Sequence, residues 1–171
     1  MSTVLLIVAL AGALVVLGGL WLVATANRLD RLHVRTDAAW AALDAALARR
    51  AVVARAVAAA ALTGPEADQL RAAAGSAESA PRPEREVAEN RLTALLSTVD
   101  RRPLPAPLAD ELVDAEQRVV IARRVHNDAI RDTLALRRRR KVRYFKLAGT
   151  APQPEYFEIA EPEFDGPEPP G

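Results

Sequence analysis

The sequence predicts an all-α protein: an N-terminal transmembrane helix followed by an antiparallel up-and-down bundle of two long and two shorter helices. Three observations carry that expectation. An uncharged apolar run extends from Val4 to Ala26. Beyond it, apolar residues recur at the three- and four-residue spacing of a helix that buries one face. No alternating strand pattern interrupts them, and the dominant Ala, Leu and Arg are good helix formers. The chain divides accordingly into a span at 4–26, a helical bundle at 27–148 and a Pro-rich acidic tail at 149–171.

The span sets the expected compartment. At ~1.5 Å of rise per residue, Val4 to Ala26 crosses a hydrocarbon core of about 30 Å. A cleaved signal peptide is the rival reading, since Ala24-Thr25-Ala26 resembles a small-residue cleavage site. Signal peptides carry a basic leader and an apolar core of about 7–15 residues, and neither is found here. Met1 to Thr3 holds no basic residue, whereas Arg28, Arg31 and Arg35 follow the span. The positive-inside rule therefore puts the N-terminus outside and the C-terminal domain in the cytoplasm of a single-pass cell-membrane protein. Gly12, Gly18 and Gly19 leave room for spans to meet, so a homo-oligomer stays open, although their spacing is not that of a small-xxx-small motif.

From Leu29 the helical period runs through Leu32, Thr36, Ala39, Trp40, Leu43, Ala46, Leu47, Val53, Ala54 and Val57. No Gly or Pro lies between Trp21 and Leu62, so span and first bundle helix are expected to be continuous. Gly64 suits a helix end and Pro65 a helix start. A short helix is expected over Glu66 to Ala74, then a loop over Gly75 to Pro83. A third helix is expected from Glu84 to about Asp100, with Ala88, Leu92, Leu95 and Val99 on one face. Pro103 and Pro105 break the chain, and a long last helix is expected from Pro107 to about Arg140. Its inward stripe would hold Leu108, Leu112, Ala115, Val119, Ala122, Val125, Ala129 and Leu136. The tail is expected to be irregular, partly docked through its aromatic residues, with a disordered end.

The net charge is +1, so no overall field recruits a polyanion, and the 0 cysteines exclude disulfides and thiolate chemistry. The positive charge is nonetheless concentrated. Arg137, Arg138, Arg139, Arg140, Lys141, Arg143 and Lys146 cluster at the end of the last helix. Antiparallel pairing would bring them beside Arg28, Arg31 and Arg35 at the membrane. The predicted partner of this basic patch is the anionic lipid of the inner leaflet, worth about 1 kcal/mol per charge near the surface. The plainer alternative is a solvated helix end whose charge suits the dipole. Nucleic acid is not expected as a partner, because no aromatic platform or recognition motif accompanies the run.

Two segments resemble the LemA family, a group of membrane-anchored bacterial helical proteins. The first runs from Asn27-Arg28-Leu29 to Arg49-Arg50 and includes Trp40 and Asp44. The second is Ala122-Arg123-Arg124-Val125-His126-Asn127-Asp128-Ala129-Ile130-Arg131-Asp132, similar to the family's Ala-Arg-x-Tyr-Tyr-Asn-x-Ala-Val-x-Asp. Tyr156-Phe157-Glu158 is similar to the family's closing Phe-Phe-Glu. Here His126 stands at a family tyrosine, Thr133-Leu134 replaces a Tyr-Asn, and the basic run from Arg137 replaces a Phe-Pro. The resemblance implies a long-helix bundle on a membrane anchor with no established enzymatic activity. It marks Trp40, Asp44, Arg49, Arg50, His126, Asn127, Asp128 and Asp132 as the motif residues.

The remaining constellations read as structure rather than chemistry. His126 falls near the inward stripe and is expected in the core or at its boundary with a hydrogen-bond partner. Asp30-x-x-His33 is one carboxylate-x-x-His pair, whereas a di-iron bundle needs two such pairs and two further carboxylates. Arg50 is expected either to pair with Glu116 on the last helix, fixing register, or to reach the surface. Arg85 to Glu89 matches the core of a Nudix box, but Asn90, Leu92, Ala77 and Arg71 stand where that motif needs Glu, Gly, Glu and Gly. No catalytic residues, metal ligands or cofactor are therefore expected. The expected function is a non-enzymatic membrane protein whose bundle serves as adaptor or envelope-associated scaffold for a protein partner. The first alternative is an accessory subunit of a membrane complex such as a protease or transporter; a hydrolase or metal enzyme is the remote one.

Overall fold

A computed structural model describes residues 2–139, 144 and 153–160. The described residues form four helices: α1 (Ser2–Ala61), α2 (Gly64–Ser79), α3 (Arg82–Ser97) and α4 (Ala106–Arg137), with no strand among them. The all-helical bundle, with two long and two shorter helices and a long apolar N-terminal stretch, is as expected. The chain clusters into two compact units. The first holds the chain up to Ala38 and the described residues between Asp128 and Glu155; the second holds Ala39–Asn127 and the described residues from Tyr156 on.

In the second unit, the end of α1, α2, α3 and the first part of α4 pack around one core. Ala54, Val57 and Ala58 of α1 meet Leu70, Ala73 and Ala77 of α2, Leu92 and Leu96 of α3, and Leu112 and Ala115 of α4. Many of these residues are alanine, whose small side chains let helix backbones approach closely while still excluding water. A second cluster joins Leu43, Leu47 and Val119 to Phe157 and Ile159 of the tail. In the first unit, α1 and the end of α4 run antiparallel. Leu29 meets Leu136, Arg35 Nη1 donates to Asp132 Oδ2 at 3.0 Å, and the Thr36 and Thr133 hydroxyls lie 3.2 Å apart.

Several element ends move from where the sequence put them. The loop expected over Gly75 to Pro83 shrinks, because α2 continues to Ser79. Ala77 extends the inward stripe of Ala67, Leu70, Ala73 and Ala74 and is fully buried. Its burial offsets the roughly 1 kcal/mol that Gly75 costs a helix interior. Gly64 has φ +61° and serves the turn between α1 and α2, a conformation that a Cβ would strain. α3 ends at Ser97 rather than Asp100, where Thr98 and Val99 N–H donate to Leu95 and Leu96 carbonyls in tightened final turns. α4 ends at Arg137 rather than Arg140, and Arg140 itself lies outside the described residues. The inward stripe of α4 is also rotated: Val125 is 48% exposed, and His126 is buried in its place. Ile130 and Thr133 extend that face.

Candidate functional site

Three features of the described residues bear on function. The first is the N-terminal part of α1. Val4, Leu10, Val15 and Leu20 are 64%, 60%, 75% and 62% exposed. None of this most apolar window is buried, which separates it from the core helix of a water-soluble bundle, whose apolar residues face protein. It is one candidate membrane-spanning helix near the N-terminus. A continuous apolar surface of this extent marks a membrane or protein contact.

The second feature is basic. Within the first unit, the Leu29–Leu136 contact brings the two helices together at the level where Arg28, Arg31, Arg138 and Arg139 lie, and all four are exposed. Arg35 is partly neutralised by Asp132, and Arg137 is half-buried. Arg140, Lys141, Arg143 and Lys146, which belong to the same sequence-predicted patch, lie outside the described residues.

The third feature is a polar network inside the second unit together with a tail seated on its surface. Arg50 Nη2 donates to Glu89 Oε2 at 2.6 Å, and Nη1 donates to the Thr93 hydroxyl at 3.1 Å. Both ions are buried, at 1% and 0% exposure. Arg85 approaches the other Glu89 oxygen at 3.4 Å, donates to Asp44 Oδ1 at 2.6 Å, and donates to the carbonyls of Glu78 and Ala80 at 3.0 Å. The network thus ties α1 to α3 and stitches the α2–α3 turn. The satisfaction is partial: Arg50 Nε, Arg85 Nε and Glu89 Oε1 are buried without a hydrogen-bond partner, and the Arg85 Nε–Glu89 Oε1 approach at 3.4 Å is an ion-pair contact only.

The expected Arg50–Glu116 pair and the surface alternative are both overturned. Arg50 pairs with Glu89 on α3, and Glu116 is held by both Nη atoms of Arg101 at 2.9 and 3.0 Å. Register counting between α1 and α4 could not foresee that α3 presents Glu89 to Arg50. A signal did exist. Arg85 and Glu89 are one helical turn apart, and Glu89 precedes Leu92 and Leu96 by three and seven residues, on one helix face. The residues that imitate part of a Nudix box are the ones that build this network.

The tail reaches the same unit. Residues 153–160 are irregular, as expected, and Phe157 is buried at 3% exposure. Asn127 clamps its backbone from both sides: Phe157 N–H donates to Oδ1 at 3.0 Å, and Nδ2 donates to the Phe157 carbonyl at 3.1 Å. Glu158 N–H donates to Glu86 Oε1 at 2.7 Å and Ala160 N–H to Asn90 Oδ1 at 2.8 Å. The Phe157 ring packs edge-on against Trp40 at 5.6 Å, and His126 does the same at 5.4 Å. Arg82 caps the Trp40 ring at 4.0 Å. Tyr156 is 42% exposed, so only one member of that aromatic pair docks. Phe164 and the expected disordered end lie outside the described residues.

His126 departs from expectation in one respect. It is a core residue, but neither ring nitrogen has a hydrogen-bond partner. Its burial, and next the nearby positive charge of Arg82, push its pKa down from the ordinary imidazole value and favour the neutral ring. The other motif residues find partners: Asp44 holds Arg85, Arg49 pairs with Glu111, Asp128 with Arg131 at 2.9 Å, and Asp132 with Arg35. Asp44 and Arg49 belong to the second unit, Asp128 and Asp132 to the first. Among the described residues, no group of three His, Asp or Glu side chains could hold a metal ion. A scan against protein-family models, a search of curated proteins and a search of solved structures each find no match to this chain.

Proposed function

We propose that this chain is a LemA-like single-pass membrane protein whose helical bundle serves, on the cytoplasmic side, as a non-enzymatic adaptor or envelope-associated scaffold. One observation carries the reading: the exposed, uncharged apolar stretch belongs to the same helix, α1, that supplies Leu43, Leu47 and Val57 to the bundle core. A partner bound to the bundle would then be held at the membrane through one continuous helix. Supporting the orientation, the basic residues Arg28, Arg31, Arg138 and Arg139 are exposed on the C-terminal side of the apolar stretch, as the positive-inside rule requires of a cytoplasmic flank. The same residues suit the headgroups of anionic inner-leaflet lipid.

Reporter fusions test the orientation. A cytoplasm-active and an export-active reporter are each joined to the C-terminus of the full chain. Activity of the cytoplasmic reporter alone, on an uncleaved membrane-bound chain, is the expected result. Activity of the export reporter alone reverses the topology and removes the inner-leaflet argument. An accessory subunit of a membrane complex is the second reading, favoured by Ile121 and Val125, exposed one turn apart on α4. Purification from detergent separates the two: a stoichiometric membrane partner supports the subunit, and lone oligomers support the scaffold.

A further inference from the structure

The seat of the tail has the construction of a peptide-recognition groove. Its occupant is extended and alternates: Phe157 and Ile159 point inward and are buried, while Tyr156, Glu158 and Ala160 are exposed. That period of two is what an extended segment presents to a surface. Both walls of the groove supply polar side chains to the occupant's backbone, Asn127 from α4 and Glu86 and Asn90 from α3. The apolar floor under Phe157 and Ile159 is Leu43, Leu47 and Val119, with Trp40 edge-on to the phenyl ring. Arg123 lies 3.8 Å from the outward carboxylate of Glu158. Backbone bonds that any sequence can satisfy, combined with pockets for alternate side chains, are how proteins recognise extended peptides.

We infer that this groove is a binding site for an extended peptide of the pattern aromatic–acidic–aliphatic, and that Phe157-Glu158-Ile159 is its built-in occupant. A segment of the same pattern from another protein takes the groove by displacing the tail. This inference deepens the adaptor reading, and it rests on that reading only for the existence of a partner in trans. The tail is covalently attached, so its effective concentration at the groove is on the order of millimolar. A competing segment binds the intact chain weakly and a tail-disabled chain strongly, because the fraction of open groove sets the apparent affinity.

The test uses the full chain in detergent micelles with Trp21→Phe, which leaves Trp40 as the single tryptophan of the 2. The probe is a fluorescein-labelled synthetic peptide with the sequence of residues 154–160. Phe157→Ala in the chain is expected to keep the helical circular dichroism, shift Trp40 emission to the red, and bind the peptide saturably. The unaltered tail should weaken that binding at least tenfold, and adding Asn127→Ala to the Phe157→Ala chain should also weaken it at least tenfold. A helical Phe157→Ala chain that takes no peptide at about 1 mM overturns the inference. So does a Phe157→Ala chain that loses its helical signal, since the tail would then be part of the folding core rather than a ligand. Peptide binding unchanged by Asn127→Ala overturns the clamp. These outcomes are independent of the reporter fusions: a reversed topology leaves the groove standing, and a failed peptide titration leaves the anchor standing.

Discussion

Two stretches of the same helix make the instructive comparison. Residues 4–26 and 43–58 of α1 are both rich in Ala, Val and Leu and both form unbroken helix. In the first, aliphatic side chains face outward on every side of the helix. In the second, Leu43, Leu47, Ala51, Ala54 and Ala58 are fully buried, while Val52 and Ala56 face out and Arg49 and Arg55 reach carboxylates on α4 and α2. Apolar content is common to both, so content alone does not decide the environment. A helix apolar all round is suited to lipid, and one apolar on a stripe is suited to protein. The second stretch also buries Arg50, which a lipid-facing helix could not hold without a partner.

Charge placed in the first stretch should have the largest effect. Leu14→Arg with Leu17→Arg should release the chain from the membrane fraction, since each charge costs about 2.5–3.5 kcal/mol at the centre of a span. Alkaline extraction of membranes checks this, with bundle helicity expected to survive. Retention in the membrane pellet would mean that residues 4–26 are not its anchor.

Next in size is the ion pair of the second stretch. Arg50→Met alone should destabilise the bundle by about 3–5 kcal/mol, because it takes from the buried Glu89 its 2.6 Å partner and leaves only the 3.4 Å approach of Arg85. Arg50→Met with Glu89→Leu should recover most of that loss. Thermal unfolding of both variants measures the difference, and a silent single variant would show that the pair is not needed to join α1 and α3.

His126 gives a pH test of the same unit. Its pKa is held below the ordinary value of 6.5, so the unfolded chain takes up a proton before the folded one does. Stability contributed by the neutral ring is full above pH 6.5 and is lost as pH falls below it. His126→Phe should flatten the decline of melting temperature in that range relative to the wild type. Identical pH profiles would remove His126 as its cause.

The smallest effect belongs to the first unit. Arg35 and Asp132 are 55% and 54% exposed. Screening by water limits their pair to less than about 1 kcal/mol. Asp132→Ala should therefore move the melting temperature little, and what it moves should vanish in high salt. A loss comparable to that of Arg50→Met would mean that the pair is shielded by something beyond this chain.

Much of the fold was legible because it is local. The apolar stripe of α1 predicted from Leu32 to Val57 faces inward throughout, with Leu32, Trp40 and Ala46 half-buried at its edges. Helix boundaries were legible only where Pro or a left-handed glycine enforced them, as at Gly64 and Pro65. The end of α2 was not, because the burial of Ala77 belongs to packing against other helices. Of the residues now gathered around the tail, Trp40, His126 and Asn127 stood out in the sequence and Phe157 was expected to dock. Glu86 and Asn90 did not stand out, since nothing local distinguishes an exposed Glu or Asn that will accept a hydrogen bond from one that will not.

The sequence by itself determined the long uncharged apolar run, the helical period after it and the concentration of positive charge around Arg137. Each follows from the order of residue types along a few turns. Only the tertiary structure decided that Arg50 pairs with Glu89 rather than Glu116, that Val125 turns outward, and that the tail lies against Trp40 between Asn127 and Glu86. Those choices join residues about 30 to 120 positions apart. They depend on how four helices rotate against one another to fill a common core, a quantity that no single helix encodes.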